Sequence, residues 1–324
     1  MRFNLFYFLF FVIFIYSCSG GGSSQSDDIT NNNNNQSNQF NERCINIGTN
    51  TQRCTFLHNN LERFYLIYSP QSLNQNINAP ILFALHGYGS SASFHKSYTQ
   101  YEALAEENKF ILIYPQGYEL NTVLTNSTSH WNVGAWTVGS TVDDVDFIST
   151  IIDIVSAKTS VDMSRIYSSG MSNGGFMSYE LACQLSEKIA AIASVTGSMS
   201  KETLSNCNPK HPTSILQIHG LIDFTVPYNG NDAIGMESIE EVMQYWSEYN
   251  GCNPNSSITS SNYSNQKGSI DFISYQSCIN NTHAKLIRIP SMNHTWPTLD
   301  NYNISASDEI WNFLSQFDIN GKIN

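Results

Sequence analysis

The chain has 324 residues, with 15 Lys and Arg against 27 Asp and Glu, for a formal net charge of −12 at pH 7. No basic stripe is available to neutralise phosphates, which excludes nucleic acid as a partner. A chain of this length accommodates one large α/β domain behind an N-terminal leader.

Arg2 precedes an almost unbroken apolar run, Leu5–Tyr16, which ends at Ser17-Cys18-Ser19-Gly20. The run is short for a membrane span, and its charged, apolar, small-residue layout predicts a secretion signal over residues 1–17. Ile15-Tyr16-Ser17-Cys18 also resembles a bacterial lipobox, in which cleavage leaves a lipidated cysteine. Cys18 is therefore the expected lipidation site, and the membrane is an expected partner only through that anchor. Giving one of the seven cysteines to lipid leaves an even set, which pairs completely in an oxidising compartment. Residues 18–40 are dominated by Gly, Ser, Asp and Asn, with Asn31–Asn35 in a row. Such a stretch has too little apolar area to offset the entropy of ordering and reads as a flexible tether. Residues 41–320 are left for the folded domain.

Cys44 and Cys54 flank a short polar stretch and are placed to staple an N-terminal hairpin. Arg63–Tyr68 alternates like a strand, and Pro80–Leu85 is a continuous apolar run, the pattern of a strand buried on both faces of a parallel sheet. It ends in His86-Gly87-Tyr88-Gly89. Ser93–Glu107 reads as a helix and Phe110–Tyr114 as a second buried strand, giving a right-handed βαβ unit. Gly117–Val142 shows no periodicity and is predicted to be a long loop carrying Trp131 and Trp136. Asp143 and Asp144 open a helix, Val145–Lys158, where carboxylates favour the helix dipole; that capping role is preferred over a catalytic one for both.

Arg165–Phe176 then reads Arg-Ile-Tyr-Ser-Ser-Gly-Met-Ser-Asn-Gly-Gly-Phe. A β-prone run meets Gly170-Met171-Ser172-Asn173-Gly174, and a helix-compatible segment, Phe176–Leu185, follows. Glycines two before and two after Ser172 allow a tight strand-to-helix turn that exposes the serine hydroxyl as a nucleophile. Further strands are expected at Ile189–Thr196, Ser214–Ile218 and Ala284–Ile289, with helices at Ile239–Tyr249 and Ser307–Phe317. The alternation implies a mostly parallel sheet with helices on both faces, whose ligand crevice lies beyond the carboxyl ends of the strands.

A serine nucleophile needs an imidazole base, and the imidazole needs a carboxylate to hold its tautomer. Two histidines follow the best-placed acid, Asp223: His283 at the amino end of the last strand and His294 at its carboxyl end. His294 is thus the expected base and Asp223 the expected acid. The oxyanion of the tetrahedral intermediate needs backbone donors, expected at the amides of Asn173 and Tyr88. His86 and His219 read as structural turn residues, and no cluster with metal-ligand spacing accompanies them, so neither metal nor cofactor is expected. Trp131, Trp136 and Trp296, together with the Tyr88 ring, are candidate substrate-binding residues, suited to stacking on an aryl ring or a sugar and equally suited to packing under a loop.

The ordered set His86-Gly87-Tyr88-Gly89, Tyr114-Pro115-Gln116-Gly117, Trp131-Asn132, Val142-Asp143-Asp144-Val145, Gly170-Met171-Ser172-Asn173-Gly174-Gly175, His219-Gly220-Leu221-Ile222-Asp223 and His294-Thr295-Trp296-Pro297 resembles the secreted poly(3-hydroxybutyrate) depolymerase-like esterases, a family that also contains feruloyl and acetylxylan esterases. The resemblance implies an α/β-hydrolase fold and an extracytoplasmic serine carboxylesterase with Ser172, Asp223 and His294 as its triad. Its expected substrates are feruloyl or acetyl esters of plant polysaccharide or short hydroxyalkanoate polyesters. It also implies disulfides Cys183–Cys207 and Cys252–Cys278, which leaves Cys44 to pair with Cys54. A serine peptidase on the same fold and a non-catalytic glycan-binding lipoprotein are the competing readings.

Overall fold

The computed structural model describes residues 41–73, 77–120, 128–137, 139–255, 257–262 and 268–323. The expected secretion signal, the tether and the Cys18 lipidation site lie outside the described residues. Eleven strands form one sheet. In chain order they are β1 (Arg43–Gly48), β2 (Thr51–His58), β3 (Leu61–Tyr68), β4 (Ala79–Leu85), β5 (Ile111–Pro115), β6 (Val161–Met171), β7 (Ala191–Val195), β8 (Ser214–Gly220), β9 (Ser257–Asn262), β10 (Ser269–Tyr275) and β11 (Ala284–Ile289). Their spatial order is β1-β2-β3-β5-β4-β6-β7-β8-β11-β10-β9. The stretch from β5 through β11 is parallel throughout, and antiparallel hairpins extend it on both sides.

The parallel strands read as apolar runs because helices cover both of their faces. Along β4, Ile81, Phe83 and Leu85 belong to the core covered by α3 (Asp144–Ser156), α4 (Asn173–Gln184) and α5 (Ile239–Tyr249). Leu82 and Ala84, pointing the other way, belong to the core covered by α1 (Ala92–Thr99), α2 (Glu102–Asn108) and a C-terminal helix, Ala306–Leu314. Period-two alternation thus feeds two cores from one strand.

The predicted helix Ser93–Glu107 is in fact two. Gln100 takes a left-handed conformation (φ 52°), which ends α1 and lets Tyr101 enter the core, where its hydroxyl meets Ser169 Oγ at 3.1 Å. The predicted loop Gly117–Val142 contains a short antiparallel ribbon, Tyr118–Leu120 with Thr128–His130, and a 3₁₀ turn, Ala135–Thr137. The C-terminal helix stops at Leu314, and Phe317 instead joins a two-residue ladder with Lys322 while its ring stays buried. The β9–β10 hairpin had no counterpart in the sequence pattern, since its Ser- and Asn-rich edge lacks apolar alternation.

Asp143 caps α3 as expected, accepting a hydrogen bond from the Asp146 amide at 2.8 Å. Asp144 does something the sequence did not indicate. It is buried, pairs with Arg63 at 2.7 Å and accepts the Asn132 amide at 2.8 Å, so it ties β3 to the loop carrying Trp131.

Candidate active site

At the carboxyl end of β6 the chain turns directly into α4, which begins at Asn173, three residues earlier than the apolar pattern suggested. Ser172 sits at the apex with φ 54° and ψ −123°, a conformation costly for a residue with a Cβ and held by its surroundings. The Ser172 amide donates to the Val195 carbonyl at 2.9 Å, and the Phe176 amide donates to the Ser172 carbonyl at 3.0 Å. A Cβ on Gly170 would collide with the Gly174 backbone, and one on Gly174 with the Leu85 carbonyl. The flanking glycines therefore let the helix start close against β4 and β6.

Asp223 lies just beyond the end of β8, and His294 lies beyond the neighbouring end of β11. The Ile222 amide donates to the Met292 carbonyl at 3.3 Å, which ties the two loops together. His294 Nδ1 lies 2.8 Å from Asp223 Oδ2, while Asp223 Oδ1 accepts the Thr225 and Val226 amides at 2.9 Å each. Burial pushes the Asp223 carboxyl up, but the hydrogen bonds from His294 and the Val226 amide outweigh it, and the net shift is downward from 3.8. The acid is thus a carboxylate at neutral pH, able to accept from Nδ1–H and leave Nε2 of His294 as a base.

The other histidines are committed elsewhere. His219 lies 3.7 Å from Asp223, yet its Nε2 donates to the Val226 carbonyl and its Nδ1 accepts from Gln217, both at 2.9 Å. Burial lowers its pKa from 6.5 to about 4, so it stays neutral. His86 Nδ1 donates to the Gly87 carbonyl at 2.8 Å and its Nε2 accepts the Gly117 amide at 2.9 Å. Burial brings this ring to about 4 as well. His283 packs its ring against Phe317, away from these loops.

Of the expected amide donors, Asn173 N opens α4 and Tyr88 N follows Gly87 in the loop after β4. Among the described residues, neither amide has a protein acceptor. Gly87 passes so near the serine that a Cβ there would sit 3.4 Å from Ser172 Cβ. Trp131 connects the two donor segments. Its backbone amide and carbonyl are held by the Asn173 side chain at 2.7 and 3.1 Å, and its indole Nε1 donates to the His86 carbonyl at 2.8 Å.

That geometry corrects the reading of Trp131 as a substrate-binding residue: it is 0% exposed, and its ring packs on His86 behind the loop. Trp296 is corrected likewise, being 1% exposed, wedged against His95 and Tyr101, with Nε1 donating to Ser307. Both indoles bury more area than a loop residue exposed for stacking, and both use their N–H internally. Trp136 is half-buried behind Tyr88, with ring centroids 5.4 Å apart, and supports that ring from below.

The cleft over the serine has a volume of about 300 Å³ and is bordered by Gly87, Tyr88, Phe94, Tyr98, Met171, Ser172 and His294. Sequence reasoning missed Phe94, Tyr98 and Met171. Phe94 and Tyr98 are spaced by four on α1, which marks one helix face, but only the fold shows that this face meets the serine. The Tyr98 hydroxyl also accepts the Trp296 amide at 3.0 Å and lies 3.0 Å from Thr295 Oγ1, so α1 grips the loop carrying His294.

Among the described residues, three disulfides are formed: Cys44–Cys54 across paired residues of β1 and β2, Cys183–Cys207 from α4, and Cys252–Cys278 after α5. Among the described residues, metal-type donors cluster at Glu42, Cys44 and Cys54, but those two sulfurs are bonded to each other.

A central parallel sheet, a serine at a strand-to-helix turn and an Asp–His pair beyond the ends of β8 and β11 define an α/β-hydrolase. Residues 71–235, about half of the chain, match the phospholipase/carboxylesterase family of these proteins, and the chain belongs to it. It is 25% identical over 259 residues to a bifunctional acetylxylan esterase/xylanase from Neocallimastix patriciarum, a match covering 80% of this chain and 34% of the relative. It is 30% identical over 222 residues to feruloyl esterase B of Piromyces equi, covering 64% of this chain and 40% of that protein. The chain therefore spans between about a third and two fifths of the length of these two relatives. Among solved structures, the fold is shared with an acetyl xylan esterase from Aspergillus awamori (TM-score 0.56, 17% identity, 85% of this chain and 98% of that one). It is shared too with a ferulic acid esterase from Anaeromyces mucronatus (TM-score 0.52, 15% identity, 82% of this chain and 90% of that one).

Proposed function

We propose that the protein is a serine carboxylesterase of residues 41–320 that hydrolyses acyl esters of plant polysaccharide, with Ser172 as nucleophile, His294 as base and Asp223 as the acid that orients it. The observation that carries this reading is the pairing of a strained, cleft-facing Ser172 with a His294 whose Nδ1 is engaged by the buried Asp223 carboxylate at 2.8 Å.

In the first half-reaction His294 Nε2 takes the Ser172 hydroxyl proton as Oγ bonds to the ester carbonyl carbon. The Tyr88 and Asn173 amides receive the negative charge that develops on the carbonyl oxygen. Collapse breaks the bond to the alcohol, which leaves with the proton carried by His294. Water then enters, gives its proton to His294 and attacks the acyl carbon, releasing the carboxylic acid and restoring Ser172. No step draws on a metal or an organic cofactor.

The esterases named above support an acyl ester as the substrate. The disulfides support a compartment outside the reducing cytoplasm. Lipid attachment at Cys18 is the finer form of that placement, and a Cys18→Ala chain that still partitions into membranes would rule it out. The activity is tested by comparing p-nitrophenyl acetate with a peptide anilide. The ester alone should turn over, with loss in Ser172→Ala, whereas cleavage of the anilide alone would replace the reading with a peptidase.

A further inference from the structure

The walls of the cleft carry information about the acyl group that the nucleophile does not. Isolated apolar side chains on a surface need no explanation. Phe94 is different, because it is 60% exposed on the border of the cleft that holds Ser172. Its ring lies 5.4 Å from that of Tyr98, one helical turn on, at an interplanar angle of 30°. Tyr88, 40% exposed, borders the same cleft from the loop after β4. It is backed edge-on by Trp136, which in turn rests edge-on against Phe176 at 5.7 Å. Met171 at the end of β6 adds a polarizable, adaptable surface next to the serine. Among the described residues, no lysine or arginine borders the space.

From these observations we infer that the α1 face formed by Phe94 and Tyr98 is the acyl-binding wall, and that it selects a flat aromatic acyl group of the hydroxycinnamoyl class over acetyl. The inference rests on the esterase reading above. A two-carbon acyl group fills a small part of about 300 Å³ and leaves the rings in water. A planar ring conjugated to the ester places its face against Phe94 and Tyr98, gaining both apolar burial and ring–ring contact. The lack of lysine and arginine on the described walls matches a neutral acyl group. Phe94 then acts on affinity for one class of ester and not on the bond-breaking step.

The test uses methyl ferulate and methyl acetate, which share a leaving alcohol and differ only in the acyl group. The expected result is that Phe94→Ala lowers the ratio of kcat/KM for ferulate to that for acetate about tenfold, mainly through KM. Phe94→Tyr should restore the ratio, and because Phe94 is largely exposed, the melting temperature should hold in both variants. A wild-type protein that hydrolyses methyl acetate but not methyl ferulate overturns the inference and leaves the esterase standing. An unchanged ratio in Phe94→Ala does the same. A protein that hydrolyses neither ester and is not labelled at Ser172 by a fluorophosphonate overturns the esterase reading, and the inference with it.

Discussion

Behind Ser172 the cleft is backed by buried, hydrogen-bonded groups, and in front of it by exposed rings. On the buried side, Asn173, Trp131 and His86 form a continuous chain of hydrogen bonds between the two amide-bearing segments. On the open side, Phe94 and Tyr88 present exposed rings at the border of the cleft. The contrast separates two jobs. On the proposed mechanism, groups that hold an oxyanion donor in place are locked by burial and directional bonds, while groups proposed to meet the acyl chain are left accessible and non-directional.

Changes on the buried side should damage turnover, and those on the open side should redistribute it. The largest effect is expected for Asp223→Asn, which removes the carboxylate that fixes the His294 tautomer; kcat should fall about 10⁴-fold with KM little changed. Trp131→Phe keeps the buried ring but loses the Nε1 bond to the His86 carbonyl. Its kcat should fall on the order of tenfold for ferulate and acetate alike, because the loop carrying the Tyr88 amide loosens. A selective loss of ferulate turnover would instead make Trp131 a substrate contact. Tyr98→Phe sharpens the line between the two sides, since it keeps the ring and removes the hydroxyl that grips the His294 loop. A few-fold drop in kcat at constant KM is expected, with a shifted pH profile, and a rise in KM alone would contradict it.

The buried histidines give the comparison a pH signature. Burial lowers His86 and His219 from 6.5 to about 4 and His95 from 6.5 to about 3. Below pH 6.5 the unfolded chain takes up protons that the folded one refuses, so stability is full above that value and declines as pH falls toward 4. Denaturant midpoints should therefore decrease steadily from pH 7 to pH 4.5. A flat profile would mean that these rings are not the neutral struts described.

The candidate site was legible in the sequence where geometry is local. Gly170 through Gly174 specify the turn around Ser172 by sterics alone, and Asp223 and His294 each follow a segment that reads as a strand. The long-range contacts were not legible. Nothing in Trp131-Asn132 indicates that the indole would be drawn beneath the His86 carbonyl, or that Asp144 would be buried against Arg63. The aromatic composition of the loops pointed to tryptophans as substrate contacts, whereas the fold buries two of them and brings forward Phe94 and Tyr98 from a helix whose break at Gln100 the pattern also hid. Tertiary packing decides which ring faces water, and no local periodicity carries that information.

The central claim is that Ser172 is the activated nucleophile. A fluorophosphonate probe followed by peptide mass spectrometry tests it at the residue concerned. One adduct is predicted, on the peptide containing Ser172, absent in Ser172→Ala and formed far more slowly in His294→Ala. An unlabelled wild-type protein, or an adduct on any other serine that persists in Ser172→Ala, would contradict the account.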